Sequence, residues 1–108
     1  FSSVRYQFQQ QEIEGFSKMT IRLKGDGNRY QFRIKPDRLL RHSYIYHFTT
    51  SGKWQTIEVP FSEMRPSFRG RYLDLPNYGG QLIEEVRFLI ANKQEQAFKL
   101  EIDKLVLQ

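Results

Sequence analysis

The sequence predicts an all-β fold, an antiparallel β-sandwich or jelly roll. Apolar and polar residues alternate with a period of two in stretch after stretch, which turns one face of each strand to a core and the other to water. About seven such stretches occur, most of them separated by short runs rich in Gly, Pro, Asn or Asp. No segment carries the 3.6-residue period of a long helix.

In chain order, Val4, Tyr6 and Phe8 alternate with Arg5, Gln7 and Gln9, a strand over about 3–9. Residues 10–16 read as a polar connection with one helical turn, closed by Gly15. The clearest signal follows. Met19, Ile21 and Leu23 alternate with polar residues, and after Gly25-Asp26-Gly27-Asn28 the pattern resumes with Tyr30, Phe32 and Ile34. It reads as a hairpin with arms 18–24 and 29–35, central to the fold. Gly25, Asp26, Gly27 and Arg29 form its structural turn. The glycines supply positive φ, and Asp26 accepts backbone hydrogen bonds or pairs with Arg29.

Pro36-Asp37 ends the second arm, and 38–42 is a basic connection. Tyr44 to Thr50 is apolar on both faces, which suggests a strand covered on both sides. Ser51-Gly52 turns the chain into a strand from Trp54 to Val59, with Ile57, Val59 and then Phe61 inward, and Pro60 ends the pairing. Residues 62–80 read as one long irregular region, a length usually functional or packed on itself. A brief helical turn over 82–85 leads to alternation at Val86, Phe88 and Ile90. A polar turn at 92–96 follows, then a last strand from Phe98 through Leu107.

A chain of 108 residues is one domain, and 15% aromatics means a core rich in Phe and Tyr. Without cysteine there is no disulfide, thiolate nucleophile or Cys-based zinc site. No apolar run approaches the ~20 residues of a membrane-spanning helix. The net charge of +5 is spread over nearly every strand on the polar side of the alternation, with no block of like charge. That reads as a solvated basic surface, with an anionic-partner face as the other reading.

The residues for catalysis do not assemble. His42 and His47, five apart on or beside a strand, face opposite ways and are poor co-ligands, so no metal is expected. Gly25-Asp26-Gly27-Asn28 lacks the further acidic ligands of a calcium loop and the Gly-Lys-Ser/Thr of a phosphate loop. No nucleophile elbow occurs, and the carboxylates lie singly on polar faces. The expectation is a non-catalytic domain without a cofactor. Its binding candidates are Trp54, out of phase with Ile57 and Val59, and Arg69, Arg71 and Tyr72 in the long loop. Trp54 either packs under that loop or offers a stacking face to a sugar. Arg69 either pins the loop through backbone carbonyls or contacts a partner. The aromatics follow the core-facing phase, which argues against nucleic acid.

Four motifs in order, Leu23-Lys24-Gly25-Asp26-Gly27-Asn28-Arg29-Tyr30, Trp54-Gln55-Thr56-Ile57-Glu58-Val59-Pro60-Phe61, Phe68-Arg69-Gly70-Arg71 and Phe98-Lys99-Leu100-Glu101-Ile102-Asp103-Lys104-Leu105, resemble the complex I intermediate-associated protein family. The resemblance implies a galactose-binding-like jelly roll related to carbohydrate-binding modules. It implies a protein partner, a respiratory complex subunit, in an assembly role. The family's eukaryotic members help assemble the mitochondrial NADH:ubiquinone oxidoreductase; a bacterial member would be cytoplasmic. The alternative is a carbohydrate-binding module with a shallow aromatic site. Because Phe1-Ser2-Ser3-Val4-Arg5 resembles a point inside the family's domain, the expectation is a single jelly-roll domain over 1–108 lacking its N-terminal strand or strands.

Overall fold

Met19, Ile21 and Leu23 meet Tyr30, Phe32 and Ile34 across a sandwich, from opposite sheets. The computed structural model describes residues 3–90 and 100–108. Its strands are β1 (Ser3–Glu12), β2 (Lys18–Lys24), β3 (Arg29–Lys35), β4 (Ser43–Thr49), β5 (Trp54–Pro60), β6 (Arg65–Phe68), β7 (Arg71–Tyr72), β8 (Leu82–Ile90) and β9 (Glu101–Leu107). One sheet runs β1-β8-β3-β4-β6-β7 and the other β5-β2-β9, with antiparallel pairing throughout. The predicted all-β sandwich is what the chain forms.

The predicted hairpin over 18–35 is corrected. β2 pairs with β5 and β9, whereas β3 pairs with β4 and β8, so Gly25–Asn28 is an arch between sheets. Alternation cannot tell an arch from a hairpin, because both need one apolar face per strand. The glycines play different parts. Gly27 has φ 89°, while a Cβ on Gly25 would lie 2.3 Å from the Cβ of Thr50. Thr50 follows β4, and its hydroxyl accepts from Gly27 N at 3.0 Å and donates to Asn28 O at 2.8 Å. The connection through Ser51-Gly52 also passes between sheets, and the two arches are tied side by side.

Asp26 is satisfied within the arch, by Asn28 N at 3.2 Å and the Tyr30 hydroxyl at 2.8 Å, rather than by exposed Arg29. Partial desolvation opposes its charge, but the hydrogen bonds from Tyr30 and Asn28 prevail and hold the carboxyl below its ordinary value.

Three further expectations change. β1 runs on through Glu12 with a bulge opposite β8 between Gln7 and Gln11, where a helical turn was expected at 10–16. Residues 82–85 open β8 instead of forming a helical turn, because pairing with β1 and β3 overrides the local helix preference of Glu84-Glu85. The 62–80 region is not wholly irregular, since it contains the β6–β7 hairpin. The predicted turn at 92–96 and the start of the last strand at Phe98 lie outside the described residues.

The core is aromatic. Phe32 and Phe88, cross-strand partners, have ring centroids 5.0 Å apart, and Tyr78 packs edge-on to Phe61 at 5.1 Å. Each such fully buried side chain contributes about 1.5–3 kcal/mol. Tyr78 donates its hydroxyl to the Leu82 carbonyl and its backbone N to Met64 O, which fastens the end of the long loop to the core. Burial, and then Tyr44, push the Tyr78 hydroxyl pKa well up.

Candidate functional site

On a strand, the residue paired directly across shares the same face. The outward face of the six-stranded sheet can therefore be read from register. Arg5 on β1 stands opposite Arg87 on β8, Arg87 opposite Arg33 on β3, Arg33 opposite Ile45 on β4, and Ile45 opposite Arg65 on β6. An arginine row thus crosses the strands, interrupted at Ile45. The next row is polar, with Gln7, Glu85, Lys35, Ser43 and Ser67. Ile45 and Leu89 are buried yet lie outside the inter-sheet core, so this face is itself partly covered. That agrees with the expectation of a β4 apolar on both sides.

Part of both rows lines a cleft of roughly 200 Å³, bounded by residues of β8, β3, β4 and β6 and by Arg41 and Arg69. Its charged lining is Arg33, Lys35, Arg41, Arg69 and Arg87 against the carboxylate of Glu85. Glu85 is buried, accepts from Gln7 Nε2 at 2.8 Å, and lies 3.5 Å from an Arg87 guanidinium nitrogen. Arg87 Nε is buried without a partner among the described residues. Arg33 donates from Nε and Nη2 to Gln31 Oε1 at 3.0 and 2.8 Å, an uncharged acceptor. Burial and then the Arg87 charge lower the Arg33 pKa, though a guanidinium remains protonated. The pKa of His47, on the same face, is pushed down by burial and then by Arg29 and Arg33, and its Nδ1 has no partner among the described residues. Positive charge here is concentrated and under-neutralised, which suits it to holding an anion.

The sequence-predicted binding residues do not share one place. Arg69 lines the cleft; with Gly70 it forms the two-residue loop between β6 and β7, both at positive φ, 51° and 77°. Its guanidinium lies 5.2 Å from the Phe68 ring centre and makes no hydrogen bond to a carbonyl among the described residues. Arg71 and Tyr72 form the exposed edge strand β7, and the Arg65 guanidinium covers one Tyr72 face at 3.6 Å. Trp54 is 46% exposed on the other sheet, with Arg22 over one face at 4.8 Å. Gly25, Asp26 and Gly27 belong to the arch, whereas Arg29, expected in the turn, opens β3 opposite Thr49.

Arg33, Lys35, Arg41, Glu85 and Arg87 are the residues that sequence reasoning passed over. Arg33 and Arg87 were visible only as polar members of two alternations. Only the pairing of β3 with β8 makes them neighbours.

Two comparisons bear on this architecture. A family model described as Complex I intermediate-associated protein 30 matches residues 1–102. Among solved structures, the chain is similar to a Family 11 carbohydrate-binding module from Clostridium thermocellum, in complex with a β-1,3-1,4-mixed-linked tetrasaccharide. The TM-score is 0.71 at 23% identity, over 97% of this chain and 66% of that one, a likeness of jelly-roll fold.

Proposed function

Since the chain belongs to the complex I intermediate-associated protein 30 family, we propose that it is a non-catalytic interaction module serving assembly of the respiratory NADH:ubiquinone oxidoreductase. The cationic cleft is its partner-binding surface, with Arg69 at the rim and Arg71 and Tyr72 beside it. The observation that carries this reading is the cleft's lining of Arg and Lys around one engaged carboxylate. General acid–base chemistry needs a carboxylate or imidazole free to trade protons with a substrate, and Glu85 is held by Gln7 and Arg87. Arginine, by contrast, is a residue of choice at protein interfaces.

Capture from solubilised respiratory membranes, with the bound subunits identified, tests the proposal. The expected result is recovery of subunits from partly assembled complex, lost on Arg33→Gln with Arg87→Gln. Recovery of none would sink it. The second reading, a carbohydrate-binding module, is favoured by the fold likeness and by exposed Trp54 and Tyr72. It is weakened by the guanidinium already stacked on one face of each ring. A glycan array with Trp54→Ala and Tyr72→Ala variants decides it.

A further inference from the structure

The arginine row has a direction and a spacing, and both constrain what can lie on it. Neighbouring strands are ~4.8 Å apart, so Arg5, Arg87 and Arg33 follow one another at that interval, with Arg65 two strands beyond Arg33. The row therefore spans ~19 Å across the strands. Like charges directly opposite one another on a sheet are destabilising, so the row stores repulsion that an anionic partner relieves. Glu85 offsets only part of it.

An extended peptide laid along the row presents same-face carboxylates every ~6.7 Å and falls out of step within three contacts. An α-helix presents them at i, i+3, i+7 and i+14, at ~0, 4.5, 10.5 and 21 Å along its axis on one face. The four arginines, with Ile45 in the gap, stand at ~0, 4.8, 9.6 and 19.2 Å, so the helix stays within ~2 Å of each, which arginine side chains absorb. The middle of the row, Arg87 and Arg33, lines the cleft.

We infer that the partner element recognised by this face is an α-helix with an acidic stripe, lying across the six-stranded sheet along Arg5, Arg87, Arg33 and Arg65. This rests on the interaction-module reading and adds the chemistry of its partner. Arg87 and Arg33 form the centre, in the cleft. Arg5 and Arg65 are exposed flanking contacts, and Arg65 is held in place by the Tyr72 ring. Ile45, buried in the gap, offers the helix no charge.

The test is calorimetric titration of the 108-residue chain with synthetic probes. The first is a side-chain-bridged helical peptide of about 18 residues carrying Glu at i, i+3, i+7 and i+14. The others are a proline-interrupted peptide of the same composition, a linear polyuronate and a single-stranded oligonucleotide. The helical peptide should bind about tenfold or more tighter than its scrambled form, a difference of about 1.4 kcal/mol. Binding should weaken steeply with salt. Arg5→Gln and Arg65→Gln, both at exposed positions, should each weaken it several-fold without lowering the melting temperature, and Arg33→Gln should weaken it more. Equal binding of the scrambled peptide, tighter binding of polyuronate or oligonucleotide, or indifference to these substitutions overturns the inference. Respiratory subunits still captured by a variant lacking all three arginines would overturn this surface while leaving the assembly role standing.

Discussion

The two outer faces of the sandwich use the same alternation and end with different charge balance. On the three-stranded sheet, where Lys104 stands opposite Arg22, carboxylates still meet cations: Lys18 lies 2.7 Å from Glu58, and Arg22 lies 3.5 Å from Asp103. On the six-stranded sheet, Arg33 is bonded to an amide oxygen, Arg5 and Arg41 have no ion pair among the described residues, and Arg87 shares Glu85 with Gln7. Exposed ion pairs are worth little to stability, so the first face is close to neutral in both charge and consequence. The second concentrates like charge at strand spacing, which is costly for the isolated domain. The lesson is that a polar strand face acquires its character from the strands beside it.

Both faces rest on one core, and the largest effect should show that. Phe32→Ala should cost about 3–5 kcal/mol, and denaturant unfolding should remain one transition. Two separated transitions would mean that the sheets are stable independently. Next in size is the same chemical change made on each face. Glu85→Gln leaves Arg87 without its carboxylate in a buried setting and should cost about 1–3 kcal/mol. Glu58→Gln on the three-stranded sheet should cost less than about 1 kcal/mol. Equal shifts in urea midpoint would erase the contrast between the faces.

Arg69 holds a left-handed backbone that glycine adopts without strain, so Arg69→Gly should raise stability by about 1 kcal/mol while weakening capture of an acidic peptide. Lower stability would show that its side chain, stacked on Phe68, matters more than its backbone.

The smallest effect is acid sensitivity on the cationic face. The folded pKa of His47 lies below the ordinary value of about 6.5, so between the two the unfolded chain binds more protons. Its contribution is present above pH ~6.5 and is lost as pH falls through the folded pKa. His47→Gln should flatten the stability curve in that window. An unchanged curve would remove His47 from the charge balance of this face.

Much of this fold was legible because alternation is local. Residues 19, 21 and 23, and 30, 32 and 34, had to share a buried face, and they do. Trp54 was out of phase with Ile57 and Val59, and it is on the outside. Glu84-Glu85 was misread because its strand state depends on β1, more than seventy residues earlier in the chain. Of the candidate site, Arg69 was legible through its loop, whereas Arg33 and Arg87 were ordinary polar positions.

By itself the sequence determined strand faces, the glycine-dependent connections and the total charge, since each follows from neighbours along the chain. Strand order belonged to the tertiary structure alone. Gly25-Asp26-Gly27-Asn28 is compatible with a hairpin or an arch, and the pairing of β2 with β5 and β9, and of β3 with β4 and β8, makes it an arch in which Gly25 approaches Thr50 closely. That choice puts β3 beside β8, and with it Arg33 beside Arg87. The reason is physical. Alternation says which way a side chain points, but electrostatic potential depends on distance through space, and 54 residues of chain separate two guanidinium groups that the sheet sets one strand apart.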